Sequence, residues 1–495
     1  MHFSGVLAVL SAWLAGDHES YCPASGIEAD SLPAGRCAAA LPALAFPGTS
    51  EFTAATERWS TYQAPTFAAA LPVGSEQELA TAVRFATSHN IPFLATGTRH
   101  GYGSTLGGLQ GGLALDLSPL DSISVDTSAG TLTVGPGVTS GEVFDPVFDA
   151  GYSVPTGTCS CVGLIGATLG AGIGRLTGTH GLMIDALLSA RVVTASGDIL
   201  EASSTANPDL FWALRGAGQN FGIVTSATYA LTPITHPYTS VDLIIAPDHN
   251  TTFFHWLAAF NHSADWAIAA QISYSTDTNS PILLANCVYH GPRDAALASL
   301  HPLLLDIGPG LVFMNVTEVP WNRLSATAGF ASDAATCQPG QIHDIYGVTL
   351  RHRSAATWIA VFDAMGAFYA THPRARGCMV IFEAWANHAA VNVADAETAY
   401  PWRDAQIYTM IQGTWQEGDK DAKVATQTLA RQLRSMLAAT SGYGDLAVYV
   451  NYAKGDETLE QIYGARKLRR LAELKRRYDP GNVFRFHHSL PVDYP

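Results

Sequence analysis

Seven glycines fall between positions 163 and 181 (Gly163, Gly166, Gly170, Gly172, Gly174, Gly178 and Gly181), and Gly157 stands just before them. Such density is unfavourable in a regular helix or strand. It suits backbone that must pass very close to another group. A dinucleotide loop of the G-x-G-x-x-G kind is excluded by spacing, because after Gly170 and Gly172 the third position holds Arg175. Neither a Walker motif nor a G-x-S-x-G elbow is present. The segment therefore points only to close contact with a phosphate-bearing cofactor.

A second stretch has related character: Thr96-Gly97-Thr98-Arg99-His100-Gly101-Tyr102-Gly103-Ser104. A predicted strand, Pro92–Thr96, runs into a loop of small and polar residues whose N–H groups can form an anion-binding nest. On this segment alone His100 reads first as a hydrogen-bonded loop histidine, with a ligand-facing one as the alternative.

The chain has 495 residues, too many for one core, so two or three domains are expected. With 47% hydrophobic and 14% charged residues it is globular rather than disordered. Its formal charge of −15, with one basic run from Lys467 to Arg477 read as a solvated helix face, argues against nucleic acid and anionic membranes as partners. The apolar start, Phe3 to Gly16, reads as a signal peptide over 1–16, with a buried helix as the alternative. No later run is apolar over the roughly 18 residues a membrane helix needs. Asn250, Asn261 and Asn315 begin Asn-x-Ser/Thr sites, which fits secretion and N-glycans. Seven cysteines leave at least one thiol unpaired. Cys22 with Cys37, and Cys337 with Cys378, are the expected disulfides, and no spacing suggests a metal site.

Periodicity predicts a helix from a Ser75–Glu78 capping box to Ser88, and a second over Thr139–Ala150 capped by Thr139 and Glu142. Strands are expected at Leu113–Leu117, Ile123–Val125, Leu132–Val134 and Gly222–Leu231, with a hairpin across Ser196-Gly197. The middle alternates strand runs (Ser240–Ile245, Gln271–Tyr274) with helical runs (Ala356–Tyr369, Lys420–Ala438), as a sheet with helices on one face would. The end reads as a strand at Leu446–Tyr452, a helix at Leu459–Arg477 and a turn at Asp479–Asn482.

The His100 loop, the Gly157–Asp185 segment and the block from Asn207-Pro208-Asp209-Leu210-Phe211-Trp212 to Phe221-Gly222-Ile223-Val224-Thr225 together resemble the FAD-binding domain of the vanillyl-alcohol-oxidase (VAO/PCMH) superfamily. Tyr449-Val450-Asn451-Tyr452 and Tyr478-Asp479-Pro480-Gly481-Asn482-Val483-Phe484 resemble the end of berberine-bridge-enzyme-like oxidases. The resemblance implies an α+β fold. A two-subdomain FAD-binding domain over 61–235 is completed by 446–495, after an N-terminal extension over 17–60. A substrate domain of antiparallel sheet and helices occupies 236–445.

It also implies FAD held by two covalent bonds, one from a ring nitrogen of His100 to the flavin 8α-methyl and one from Cys159 to flavin C6. Thiolate is the competent nucleophile for the second. Cys161 is the rival, disfavoured by the register of Val162-Gly163. Thr96, Gly97, Thr98, Arg99, Gly101 and Ser104 are expected at the cofactor, as are Gly157, Gly163, Gly166, Gly170, Gly174, Gly181 and Asp185. Asn220, Gly222 and Ile223, with Asn451 and Tyr452, complete the set.

The base is harder to place. Counting from Arg403 puts apolar Ile411 where a polar catalytic residue is expected and turns Gln412 to the other face, unless a bulge reverses them. Tyr449 is the substitute, on one strand face with Asn451, and Tyr102 is a further cavity candidate. The reading is a secreted FAD-dependent oxidase of a small organic, secondary-metabolite-like substrate, with hydride transfer to flavin N5 and dioxygen reduced to peroxide. The alternatives are a carbohydrate oxidase acting at sugar C1, a non-redox isomerase or cyclase using FAD as scaffold, and a protein with a vestigial flavin.

Overall fold

The computed structural model describes residues 44–495. The signal peptide and the Cys22–Cys37 pairing lie outside them.

Ser75 caps helix Glu76–Ser88, accepting from the Glu78 amide at 3.2 Å, while the Glu78 carboxylate takes the Gly74 amide instead of closing the box on Ser75. The helix buries Leu79, Ala80, Ala82, Val83 and Ala86 against a parallel sheet of β1 (Phe67–Pro72), β2 (Phe93–Thr96) and β3 (Gly112–Asp116), ordered β1-β3-β2. Parallel strands covered on both faces read as continuous apolar runs, as Phe67–Leu71 does.

A five-stranded antiparallel sheet follows: β4 (Ile123–Asp126), β5 (Thr131–Val134), β6 (Leu187–Val193), β7 (Ile199–Ser203) and β8 (Ile223–Ala230), ordered β4-β5-β8-β6-β7. The hairpin of β6 and β7 turns at Gly197, whose φ of 78° is the left-handed value that Ser196-Gly197 predicts. Thr139 and Glu142 cap each other as expected, but the helix after them begins as a 3-10 turn and becomes α only over Phe144–Asp149. The glycine-rich segment holds only short helices, Leu164–Leu169, Thr177–His180 and Met183–Ala186.

The third sheet has seven antiparallel strands: β9 (Tyr238–Ile245), β10 (Trp266–Ser275), β11 (Ser280–Tyr289), β12 (Leu311–Val319), β13 (Asp344–Leu350), β14 (Met379–Trp385) and β15 (Ile407–Gly413). Their order is β12-β9-β11-β10-β14-β15-β13. Helices Asn250–Ala259, Arg293–Ile307, Ala355–Thr371 and Lys420–Ala439 cover one face with a core that includes Phe254, Leu300, Trp358 and Leu433. The other face is turned toward the first two sheets.

Several expectations are corrected. Leu446–Tyr452 is not a strand, because its backbone amides find scattered partners: Tyr449 donates to the Thr349 hydroxyl and Val448 to the Gln461 carbonyl, and the run ends in a 3-10 turn at Val450–Tyr452. The last helix breaks at Gly464 (φ 69°) into Leu459–Tyr463 and Ala465–Tyr478. The basic run is not wholly a solvated face, since Lys467 and Lys475 are buried, the latter paired with Asp479 at 2.6 Å. Cys337 bonds to Cys161, not to Cys378. Cys378 instead sits in the helix-side core with its sulfur 3.5 Å from the Thr426 hydroxyl, and Cys159 and Cys287 are also free. Asn261 and Asn315 are exposed, whereas Asn250 is half-buried and donates to the Pro247 carbonyl. Among the described residues no helix is long and apolar enough to cross a membrane.

Candidate active site

A cavity of about 900 Å³ lies between the loops of the first two sheets and the open face of the third. Thr96, Gly97, Thr98, Arg99, His100, Gly101 and Tyr102 form one wall, with Gly157, Cys159, Gly163, Gly166, Gly222 and Ile223. Local contacts explain the loop's shape. Arg99 takes a left-handed φ of 62° and its guanidinium bonds Asp116 at 3.1 Å. Gly97 lies so close to Pro136 that a Cβ would stand 2.2 Å from its carbonyl oxygen, so only glycine fits.

His100 stacks face to face on Trp59 (centroids 4.4 Å, 15° apart), and its Nε2 has no partner. Burial lowers its pKa to about 4, which keeps the imidazole neutral and nucleophilic. Burial pushes the Cys159 thiol up to about 11, against the pull of the Thr158 hydroxyl and Arg175. The disulfide of Cys161 leaves Cys159 as the free thiol of its loop.

The opposite wall comes from the seven-stranded sheet by strict alternation. Ala269 and Gln271 on β10, Leu284 and Asn286 on β11, Met379, Ile381, Glu383 and Trp385 on β14, and Met410 and Gln412 on β15 face the cavity. Val380, Phe382, Ala384 and Ile411 face the helices. The expectation for β15 is thus reversed: Gln412 lines the cavity and Ile411 is core. No bulge is needed; residues 403–404 form a turn, the strand starts only at Ile407, and its register pairs Gln412 with Met379 and Ile411 with Val380.

The carboxylate that reading failed to find is Glu383. It is 6% exposed, and burial pushes its pKa up to about 7 while a hydrogen bond from the Tyr452 hydroxyl at 2.7 Å and the Arg175 charge lower it. Its signal was present in the sequence: a single acid inside the apolar run Met379–Trp385 must face something other than core.

Tyr449, Asn451 and Tyr452 also line the cavity. The Tyr449 hydroxyl already accepts from Asn451 Nδ2 (2.7 Å) and the Gly172 amide (3.2 Å), and burial raises its pKa. Tyr102 is likewise raised by burial, and its hydroxyl has no partner. Both phenols stay protonated, so neither is a ready base. Six of the expected cofactor residues stand outside the cavity wall and meet protein instead. Ser104 donates to the Lys454 carbonyl. A Cβ on Gly170, Gly174 or Gly181 would strike Asn451, Thr156 or Asp185. Asp185 pairs with Arg403 at 2.7 Å and caps the Leu182 amide. Asn220 is fully buried among Tyr463, His488 and Leu490.

Buried polar atoms without partners line the cavity on both walls, among them His100 Nε2, Tyr102 Oη, Gln219 Oε1, His343 Nδ1 and Trp385 Nε1. Buried polar groups are almost always satisfied, so such a set fits a polar ligand that spans the two walls. Comparison with known proteins agrees. A family described as FAD binding domain matches residues 67–203, and one described as berberine and berberine like matches 448–491. The chain is 51% identical over 456 residues to the FAD-linked oxidoreductase OXR1 of Pyricularia oryzae, covering 91% of this chain and 89% of that one. In fold it is similar to BBE-like 1 of Physcomitrella patens (TM-score 0.79, 24% identity, 92% of this chain and 97% of that one). It is also similar to an Acremonium strictum glucooligosaccharide oxidase described as revealing a novel flavinylation (TM-score 0.77, 23% identity, 90% and 95% covered).

Proposed function

The chain belongs to the FAD-linked oxidoreductases with a berberine-like C-terminal segment, and on that premise we propose that it is a secreted oxidase of small, largely apolar alcohols, with its FAD attached through His100 and Cys159. The observation that carries the reading is Glu383: a buried carboxylate with a pKa near neutrality, hydrogen-bonded by Tyr452, on the wall opposite the two anchors.

The residues fit the cofactor. The neutral His100 ring and the free Cys159 thiol face one cavity, and the backbone of Thr96–Gly101, Gly157, Gly163, Gly166, Gly222 and Ile223 offers close approach. FAD held there would supply a two-electron acceptor for the substrate's hydride, one that dioxygen could reoxidise with release of hydrogen peroxide. The rest is done by side chains. Glu383 accepts the substrate hydroxyl proton, with Tyr452 passing its own proton to Glu383 as it takes the substrate's. Asn451, held by the Ala167 carbonyl at 2.9 Å, keeps Tyr449 in place beside Tyr452. Ala269, Leu284, Met379, Ile381 and Met410 exclude water and bind an apolar body, while Gln271, Asn286 and Gln412 orient its polar groups.

A sugar is the second reading. Those three carboxamides and Trp385 favour it, and the apolar side chains between them oppose it. Glu383, a buried carboxylate in the cavity, weighs against the non-redox alternative. Secretion is supported by the signal-peptide pattern expected over 1–16, the exposed Asn261 and Asn315, and a disulfide of the kind that oxidising compartments favour.

A peroxide-coupled screen of benzylic and allylic alcohols, amines and oligosaccharides on purified protein tests the reading. Peroxide with apolar alcohols is expected; turnover of sugars alone would reverse the substrate class, and anaerobic substrate that left the flavin oxidised would end the oxidase reading. Flavin that filtered away from acid-denatured protein would remove the covalent attachment.

A further inference from the structure

His100 and Cys159 lie on loops far apart in sequence, and one short segment ties both down. Helix Asp333–Thr336 and the chain after it to His343 run along the cavity wall. At its start Asp333 takes two hydrogen bonds from Ser160, from the amide at 2.9 Å and the hydroxyl at 2.5 Å, and Cys337 is bonded to Cys161. The two residues that follow Cys159 are therefore fixed to this segment. Further along, the Thr336 carbonyl accepts the Trp59 indole N–H at 2.7 Å, and the Trp59 ring is stacked between His100 at 4.4 Å and His343 at 3.8 Å. The Gly340 amide donates to the Arg58 carbonyl, and the Arg58 guanidinium to the Gly101 carbonyl at 2.6 Å. Both anchor loops thus hang from one strap, and a covalent bond closes it only at the Cys159 end.

We propose that the Cys161–Cys337 disulfide, backed by Asp333, is a positioning clasp that sets Cys159 for its bond to the flavin, while attachment at His100 proceeds without it. The proposal rests on the two-anchor reading above. In that reaction a C–S bond forms. Cys159 gives up its thiol proton, the ring carbon loses its hydrogen as a proton, and the two electrons pass to dioxygen, which leaves as hydrogen peroxide. Such a bond requires near-contact geometry, and a misplacement of about 1 Å costs on the order of a hundredfold in rate. The Cys159 loop has no regular structure of its own from Thr156 to Val162; the Ser160 and Val162 carbonyls accept the Gly141 and Ser140 amides at 2.8 and 2.9 Å, but on the other side of Cys159 the Thr158 carbonyl meets only a long contact, 3.5 Å, from Arg175. The disulfide adds a covalent tie two residues after Cys159, to a segment 176 residues away in sequence.

The test is peptide mass analysis of the holoenzyme and of a Cys161→Ser/Cys337→Ser variant, each denatured and alkylated with iodoacetamide, together with the flavin absorption spectrum. The wild type is expected to carry flavin on both peptides. The variant should keep flavin on His100, show alkylated Cys159 and a shifted spectrum, and attach Cys159 about tenfold or more slowly when loaded with FAD. A variant with Cys159 flavinylated as fast as in the wild type overturns the clasp, and so does a folded variant that loses both attachments together. If the double variant does not fold, Asp333→Asn, which keeps the disulfide, decides: slowed Cys159 attachment with His100 unaffected supports the clasp, and an unchanged rate overturns it. A wild type lacking either bond would instead defeat the underlying reading.

Discussion

The two walls of the cavity are built on different principles. The loop wall works through backbone: at Gly97 and Gly163 a Cβ would stand 2.2 Å from the Pro136 carbonyl oxygen and 2.7 Å from the Thr98 hydroxyl, so the chain there accepts no side chain at all. The strand wall works through side chains. Each of β10, β11, β14 and β15 turns one residue in two to the cavity and the next into a core already filled by Phe254, Trp358 and Leu433. A wall of backbone suits a partner that never changes. A wall of alternating side chains suits one that does, since inward residues can be exchanged without touching the core behind them.

The comparison is sharpest at Glu383. Glu383→Gln keeps the shape and removes the proposed base, so turnover should fall on the order of 10² to 10⁴-fold while the proposed flavin attachment on the other wall should be untouched. Steady-state kinetics with mass analysis of the flavin checks both. The same residue sets the pH profile. Its carboxyl is raised to about 7 and only the ionised form accepts a proton, so kcat/KM should rise with pH through about 7 and then level off. Glu383→Gln should flatten that rise.

A smaller effect is expected where the C-terminal segment meets the sheet. A Cβ on Gly347, in β13, would stand 2.6 Å from the Tyr452 carbonyl oxygen. Gly347→Ala should therefore displace Tyr452 and lower kcat roughly tenfold, with little change in KM. Unchanged kcat would remove Tyr452 from proton transfer.

The smallest effect tests alternation itself. Gln412→Ala should raise KM a few-fold and change stability by no more than about 0.5 kcal/mol. Its neighbour Ile411→Ala should leave KM alone and cost about 2–5 kcal/mol, read as a lower melting temperature. If the two variants exchanged behaviour, the faces assigned to β15 would be wrong.

Much of the loop wall was readable in the chain. Glycine density, the His100 loop and the Asn207–Thr225 block each report local backbone demands, and local demands are written in consecutive residues. Even so, six expected cofactor residues stand off the cavity wall against protein neighbours; for Gly170, Gly174 and Gly181 the reason is that a glycine kept small for a neighbouring side chain or carbonyl looks the same in sequence as one kept small for a ligand. Helix Glu76–Ser88 and hairpin β6–β7 were legible through caps and a turn. The Leu446–Tyr452 run was not, because an apolar pattern shows that a segment is buried but not which carbonyls its amides will find.

From its residues the sequence determined a close backbone approach to a phosphate-bearing cofactor; FAD, the His100 and Cys159 candidates and the α+β division came through its resemblance to the VAO/PCMH superfamily, whose motifs are short and local. Only the tertiary structure decided that Ile411 is core and Gln412 is not, that Glu383 meets Tyr452 across 69 positions, and that Cys161 pairs with Cys337 rather than leaving Cys378 to do so. Alternation has two phases, and a disulfide has many possible partners. Choosing among them takes the contacts that form when distant segments pack, which no local stretch of the chain contains.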